Sequence, residues 1–170
     1  MKTYKAKWDN MVKGVTGFMA LLTLAGTIYI PVSIQLENLE GLAAWLPWLG
    51  VLTLLLSFLV AYLLHPKHYE VGISKIKIVR PIGTKEIRKN DIEEISTIDK
   101  SAIGKSIRSF GIGGLFGYIG KFYTSKIGHY TAYMTDRNHA VLIKLKSGKK
   151  YLISPEKTDW INSWFDKKIL

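Results

Sequence analysis

Two short stretches of the sequence combine glycine with lysine in ways that bind phosphate groups in other proteins. One is the glycine-rich segment Gly111–Gly120, and the other is Ile103-Gly104-Lys105-Ser106, which matches the end of a P-loop. Neither motif is complete, because Phe116 occupies the last glycine position of the dinucleotide pattern and Asp99 the opening glycine position of the P-loop. Nor does the sequence predict a following helix whose N-terminus would receive phosphate. We therefore expect no nucleotide site and interpret Gly111–Gly120 as a loop.

The other residue types that commonly perform chemistry do not form a recognisable site. The four histidines, at positions 65, 68, 129 and 139, lack a carboxylate cluster at metal-ligand spacing. The acidic run Asp91, Glu93 and Glu94 would need a carboxylate partner elsewhere for acid–base catalysis, and no serine lies in a Gly-x-Ser-x-Gly setting. The absence of cysteine removes disulfides and thiolate metal sites. We expect no catalytic residue, no metal and no cofactor, and thus a protein that is not an enzyme.

Basic residues on either side of the glycine-rich loop suggest a binding surface instead. A basic rim around an apolar loop tip would suit anionic lipid headgroups or a protein partner. The alternatives are that the bases are simply solvated and that the loop packs on the protein's own helices. The candidate binding residues are Lys105, Arg108, Lys121 and Lys126 in the rim and Leu115, Phe116 and Tyr118 at the tip.

Two uncharged stretches are each long enough to cross a bilayer as a helix. No charged residue lies between Lys13 and Glu37, or between Glu40 and Lys67, and a span needs about 20 apolar residues. We predict a transmembrane hairpin with spans at about 14–36 and 41–64, within an N-terminal segment of residues 1–66. The rest of the chain is too small to wrap two apolar helices, and the first run is too long for a cleaved signal peptide.

The positions of the basic residues predict the orientation of this hairpin. Lysines precede the first span and bases follow the second, whereas the intervening turn carries Glu37 and Glu40 and no base. By the positive-inside rule, both termini are cytoplasmic and the protein is a multi-pass protein of the inner membrane. The formal net charge of +11 favours attraction to an anionic leaflet. No recognition helix or RNA-binding aromatic motif accompanies the charge, which argues against nucleic acid as a partner.

Residues 67–170 predict a β-rich domain with a C-terminal helix. Alternating patterns indicate strands, as in Lys75-Ile76-Lys77-Ile78, where the isoleucines should face inward. Ser154 is a candidate N-cap and Pro155 a candidate first residue of the helix. The helix would carry Trp160, Ile161, Trp164 and Phe165 on one stripe, either in the core or dipped into lipid. The predicted strands are Tyr69–Ile73, Lys75–Arg80, one or two within Glu86–Ile98, Gly128–Thr135, Ala140–Lys146 and Lys150–Ile153.

The order of these elements resembles the bacterial pleckstrin-homology (PH)-like domains found in small membrane proteins. The resemblance is strongest over Ser106–Pro155, which includes the glycine-rich segment, Gly128, Tyr133 and the hairpin at Gly148. It implies a mainly-β split barrel of about seven strands capped by the C-terminal helix. It also implies binding or scaffolding rather than catalysis.

Together these observations predict a membrane-anchored PH-like module on the cytoplasmic face that contacts a protein partner, anionic lipid, or both. A second hypothesis is a subunit of an oligomeric membrane pore or transport assembly. In that case the spans would pack through small residues such as Gly14, Gly17, Ala25 and Gly26, and the partner would be another membrane protein or further copies of the chain.

Overall fold

The structure is a computed structural model that describes residues 1–36 and 40–165. It contains two long helices, α1 (Asn10–Leu36) and α2 (Leu42–Leu64). Both are long and apolar enough, by length and composition, to cross a membrane. Residues 37–39 of the predicted turn lie outside the described residues.

The side chains of the two helices are largely exposed, including Phe18, Trp45 and Leu52. Helix α1 begins at residue 10, before the predicted start at about residue 14, because Asp9 caps it. Oδ1 of Asp9 accepts a 2.7 Å hydrogen bond from the Val12 N–H, which satisfies one of the free donors of the first turn.

A four-stranded antiparallel sheet follows the helices, and its first strand comes from the N-terminus. Strand β1 (Lys2–Lys5) pairs with β2 (His68–Val71), which continues into β3 (Lys75–Val79) and β4 (Thr84–Arg88). Strand β1 is absent from our sequence prediction. The predicted boundary between an N-terminal segment and a domain that begins at residue 67 stays a prediction. The four-stranded sheet nevertheless includes residues 2–5 from before that boundary.

The second sheet has six strands in the order β5-β9-β10-β8-β7-β6. Among the strands that the structure describes, only β10 and β8 form a parallel pair, and the other pairs of this sheet are antiparallel. A short helix, α3 (Lys100–Ile103), connects β5 to β6. The strands are β5 (Ile92–Ile98), β6 (Ile107–Gly113), β7 (Tyr118–Thr124), β8 (Gly128–Met134), β9 (Ala140–Leu145) and β10 (Lys150–Ile153).

The two sheets enclose one hydrophobic core. Ile76 and Ile78 are fully buried there, which confirms the predicted inward face of β3. Val141 and Ile143 meet them from the second sheet. The opposite face of the second sheet is covered by the start of α1 and by α3, through residues such as Val12 and Ile103. The N-terminal residues therefore pack on both sheets.

Two predictions about local structure are wrong. The glycine-rich segment is not a loop, because all of it except a short turn at residues 114–117 belongs to β6 and β7. The C-terminal helix is α4 (Trp160–Phe165), which begins well after Ser154. The hydroxyl of Ser154 instead accepts hydrogen bonds from the N–H groups of Thr135 (2.8 Å) and Asp136 (3.1 Å), so it is committed to the end of β8.

The stripe predicted on the C-terminal helix faces the core where it is described. Trp160 and Ile161 are buried in the core between the sheets, and Trp164 packs against it. The Trp164 indole N–H also donates to the carbonyl of Gly72 in the β2–β3 turn. For these three residues the predicted packing in the core is therefore confirmed, and the alternative, insertion of the stripe into lipid, is wrong.

Candidate functional site

The carboxylate of Asp9 joins the start of α1 to the β-domain. Besides capping α1, it accepts a 3.2 Å hydrogen bond from the Tyr118 hydroxyl on β7. It also accepts a 3.2 Å hydrogen bond from the backbone N–H of Arg137, in the β8–β9 connection. The Arg137 guanidinium lies over the Tyr118 ring, 4.1 Å from its centroid. One side chain thus connects the helix with two separate parts of the second sheet.

This environment changes the acidity of Tyr118. Burial and the nearby negative charge of Asp9 raise the pKa of the Tyr118 hydroxyl to about 12. Arg137 acts in the opposite direction and only partly offsets them. The tyrosine therefore remains a hydrogen-bond donor to Asp9 throughout the physiological pH range.

Phe116 lies at the tip of the β6–β7 turn and inserts between the helices. Its ring contacts those of Phe58, Tyr62, His65 and Trp8, at centroid distances of 4.8, 5.6, 5.7 and 5.7 Å. These rings come from the last turns of α2, from the residue that follows it and from the segment before α1. Phe116 is only 7% exposed, so it fastens the domain to both helices.

The backbone of this turn is fitted closely to α1. The N–H of Phe116 donates a 3.0 Å hydrogen bond to Oγ1 of Thr16. Gly114 lies against Val15, with its φ at +113°, and a Cβ there would come within 3.3 Å of the valine side chain. Phe116 itself has a φ of +55°, which is uncommon for a residue other than glycine. We call the set Asp9, Thr16, Gly114 and Phe116 the joint.

His65 closes the joint on the side of α2. Its Nδ1 donates to the carbonyl of Tyr62, which satisfies a free acceptor at the helix end. Burial lowers the pKa of His65, and Lys67 adds to this, although the hydrogen bond to Tyr62 opposes them. The neutral ring is therefore favoured beside the aromatic side chain of Phe116.

The structure separates the two halves of the predicted binding surface. Phe116 and Tyr118 are buried in or beside the joint, and Leu115 is partly exposed there. Lys105 and Lys126 lie at the opposite end of the β6–β7 hairpin, since Ile107 pairs with Tyr123. Strand β7 has seven residues, so the two groups are about 20 Å apart. The bases therefore do not surround the apolar tip.

The remaining two predicted bases lie along the hairpin between these ends. Lys121 is exposed in the middle of β7, and Arg108 is exposed on β6. The Arg108 side chain reaches toward Gly113, at the end of β6 nearer the joint. The assignment of these bases to a binding surface stays a prediction.

Strand β6 forms one edge of the second sheet, and β5 forms the other. Ile107 and Phe110 are 67% and 78% exposed on β6. The sequence from Lys100 to Thr135 contains five Lys or Arg residues, at positions 100, 105, 108, 121 and 126, and no acid. This edge therefore combines exposed apolar side chains with positive charge, a combination that suits an acidic surface with apolar residues of its own.

An open groove of about 650 Å³ lies beside Lys121 on the same sheet. Cross-strand neighbours Lys121, Thr131 and Tyr151 form one wall, and His129 and Lys149 also line it. Its lining among the described residues includes lysines and hydroxyl groups and no carboxylate. The groove extends the basic character of the β6–β7 hairpin.

Several residues of the joint were missed by sequence reasoning. Asp9 stands directly before an apolar helical pattern, which is an N-cap signal that could have been recognised. Thr16 carries no such signal, because its partner, Phe116, is 100 positions away in the sequence. Within residues 1–36 and 40–165, no group of three His, Asp or Glu residues could hold a metal ion.

Two β-sheets around one core, joined to apolar helices and carrying an exposed basic edge, define a mainly-β domain. The sequence model of the bacterial PH domain matches residues 67–168. The chain therefore belongs to the bacterial PH domain family, which confirms the resemblance predicted from the sequence. Neither the curated proteins nor the solved structures contain a match to this chain.

Proposed function

We propose that this chain is a membrane-anchored, non-enzymatic binding module whose bacterial PH domain is held at the cytoplasmic face of the inner membrane. The observation that carries the proposal is the joint, which fastens the domain to the ends of both apolar helices. In the finer description that we propose, the two sheets form a split barrel and α4 caps it. PH domains are generally binding modules, which supports a binding role over a catalytic one.

The exposed apolar surface of the helices supports insertion into a bilayer. Helix α1 has 27 residues and α2 has 23, so they are about 40 and 35 Å long. This exceeds the hydrocarbon thickness of about 30 Å. Because their apolar side chains are largely exposed in the isolated chain, they need a cover, and lipid provides it.

The pairing of β1 with β2 supports a common side for both ends of the hairpin. Residues 2–5 precede α1 and residues 68–71 follow α2, yet they are hydrogen-bonded neighbours. Two spans that begin and end in the same sheet must return the chain to the side on which it started. The positive-inside rule assigns that side to the cytoplasm.

Single cysteines test this topology directly, because the native sequence contains none. With a membrane-impermeant maleimide, Glu40→Cys should react in intact cells. Lys157→Cys, on an exposed residue of the domain, should react only after the inner membrane is opened. Reaction of Lys157→Cys in intact cells would contradict the proposed side, and recovery of the protein in the soluble fraction would contradict anchoring.

The β6–β7 hairpin is the proposed binding surface for an acidic protein partner. Lys105 and Lys126 are about 20 Å along the hairpin from the helix ends, which favours a partner in the cytoplasm over the lipid surface. Phe110 supplies an exposed apolar contact between the basic groups. Arg108 and Lys121 extend the same charge along the hairpin.

A photo-crosslinking amino acid in the full chain tests this surface in cells. Placed at position 110, it should capture a discrete protein, and Lys105→Glu together with Arg108→Glu should weaken the capture. Ile73 provides the matched control, because it is also exposed (95%) but lies in the β2–β3 turn, away from the β6–β7 hairpin. Equal capture from position 73, or capture that ignores the charge reversals, would contradict the proposal.

The second candidate, an oligomeric pore or transport subunit, is favoured by one observation. Gly14 and Gly17, which lie on one side of α1, have no neighbouring atom within 4 Å of a built Cβ, so this side could accept a helix of another subunit. Native mass measurement in mild detergent separates the candidates. A stable ring of copies would support the pore, and a monomer would count against it.

A further inference from the structure

The β3–β4 turn, residues 80–83, carries an exposed apolar side chain beside the end of α2. Ile82 is 54% exposed, and its N–H donates a 3.1 Å hydrogen bond to the carbonyl of Leu63. Leu63 belongs to the last turn of α2, within the stretch that is apolar enough to span a membrane. Ile82 is therefore held at the level at which the apolar helix ends.

A positive charge accompanies Ile82 in this turn. The Arg80 guanidinium lies close to Gly83, with Nη2 3.5 Å from where a Cβ on the glycine would be. Arg80 forms no ion pair with the acids of the described residues, and its buried Nε has no hydrogen-bond partner there. Lys67, which is exposed, is bonded through its N–H to the Val79 carbonyl beside Arg80.

The opposite end of β3 supplies a natural contrast. Ile73 in the β2–β3 turn is also exposed, and Arg88 is exposed at the far end of β4, where it pairs with Lys75. The β3–β4 ladder is five residues long, so the two turns are about 16 Å apart. One end of this sheet meets the helices, and the other faces away from them.

We infer that the β3–β4 turn is a lipid-contact site, in which Ile82 enters the boundary of the bilayer and Arg80 binds the phosphate of an anionic phospholipid. This inference rests on the proposed membrane anchoring of the hairpin. One face of the Arg80 guanidinium lies over the Tyr133 ring, 5.6 Å from its centroid, and no acid of the described residues neutralises its charge. An apolar residue beside such a guanidinium matches the interfacial layer, where acyl chains meet charged headgroups. The turn then fixes the angle of the domain against the membrane.

Site-directed spin labels on the full chain in nanodiscs test this contact. Single cysteines at positions 82, 73 and 52 would be labelled, and accessibility to oxygen and to a water-soluble nickel chelate measured in neutral and in anionic lipid. Position 52 lies in the middle of α2 and reports the span itself. We expect position 82 to be shielded from the nickel chelate, and position 73 to be open to it.

Charge reversal tests the role of Arg80. Arg80→Glu should expose the label at position 82 to the nickel chelate in anionic lipid, whereas Arg88→Glu should leave it shielded. If Arg80→Glu has no effect, or if anionic lipid adds no shielding over neutral lipid, the phosphate contact is overturned. If position 82 is as open as position 73 while position 52 is in lipid, the lipid-contact site is overturned and the anchoring stands. If position 52 itself is open to water, the proposed anchoring fails.

Discussion

The backbone N–H of Phe116 donates a hydrogen bond to the hydroxyl of Thr16, a residue 100 positions earlier in the chain. The bond ties the tip of a β-hairpin to the second turn of α1. Because Phe116 also reaches the aromatic residues at the end of α2, one turn controls the position of both helices relative to the domain. The joint is therefore where disruption should have the largest effect.

Replacing Phe116 with alanine should destabilise the protein strongly. The ring fills a buried aromatic cluster, and such truncations cost about 3–5 kcal/mol. Phe110 is the matched control in the same hairpin, because it is 78% exposed. Its replacement by alanine should change stability by less than about 0.5 kcal/mol. Urea unfolding of the full chain in detergent would measure both, and equal losses would contradict the packing described for Phe116.

Replacing Asp9 with alanine should destabilise the start of α1 and its contact with Tyr118. Loss of the cap alone costs about 0.5–2 kcal/mol, and the Tyr118 and Arg137 donors also lose their acceptor. Asp9→Asn is the control, because an amide oxygen still caps a helix. The midpoint temperature of thermal unfolding should be highest for the native protein, lower for Asp9→Asn and lowest for Asp9→Ala.

The same asparagine variant should change the titration of Tyr118. The negative charge of Asp9 is one cause of the raised pKa of Tyr118, although burial is the larger one. Asp9→Asn should therefore lower this pKa from about 12 without returning it to the ordinary value of 10.0. Tyrosinate absorbance measured against pH would detect the shift, and an unchanged curve would place Asp9 away from the hydroxyl.

Stability should fall at alkaline pH because of Tyr69. Burial raises the pKa of Tyr69 to about 12 from 10.0, so the folded state retains a proton that the unfolded state releases. The stabilisation from the protonated Tyr69 hydroxyl is complete below pH 10. It is lost as the pH rises toward 12, by up to about 1.4 kcal/mol per pH unit. Unfolding free energies across this window should show the decline.

Tyr69→Phe should reduce that decline, although Tyr118 contributes in the same direction. The variant also loses the 2.8 Å hydrogen bond to the carbonyl of Tyr133, which costs about 1–3 kcal/mol when a buried group is left unsatisfied. Tyr123→Phe, at a partly exposed tyrosine, serves as the control. An alkaline decline of the same size in Tyr69→Phe would contradict this prediction.

Glycine is required at position 111 but not at position 113. Gly111 has a φ of +126°, and a Cβ there would lie 2.1 Å from the carbonyl oxygen of Ile119 on β7. Gly111→Ala should therefore cost at least about 2 kcal/mol. At Gly113 the nearest atom to a Cβ is the flexible side chain of Arg108, at 3.4 Å. Gly113→Ala should change the urea midpoint little, and a similar loss in both variants would overturn the assigned backbone geometry.

Regular alternation made most strands predictable from the sequence. The pattern at Lys75-Ile76-Lys77-Ile78 has the period of a strand with one buried face, and the structure has β3 there with both isoleucines buried. The two apolar helices were equally visible, because absence of charge over 20 or more residues is a strong local signal. The family resemblance followed from the order of these elements.

The joint and strand β1 were not predictable in the same way, because their contacts join residues that are far apart in the sequence. Strand β1 is only four residues long and lies in a basic segment, so its pairing with β2 depends on α1 and α2 bringing the two together. The glycines at 111 and 120 disfavour a strand by propensity, yet they permit the close backbone approach between β6 and β7. Ser154-Pro155 has the chemistry of a helix start, but the serine hydroxyl is used by the backbone of Thr135 and Asp136.

The pairing of β1 with β2 also sets an order for biosynthesis. Residues 2–5 become the edge of a sheet whose other three strands follow both apolar helices in the chain. Until residues 68–71 are synthesised, residues 2–5 lack the strand with which they pair in the folded chain. Once the sheet is complete, the strands before α1 and after α2 are hydrogen-bonded to each other. Separation of α1 from α2 then requires the β1–β2 pairing to break first.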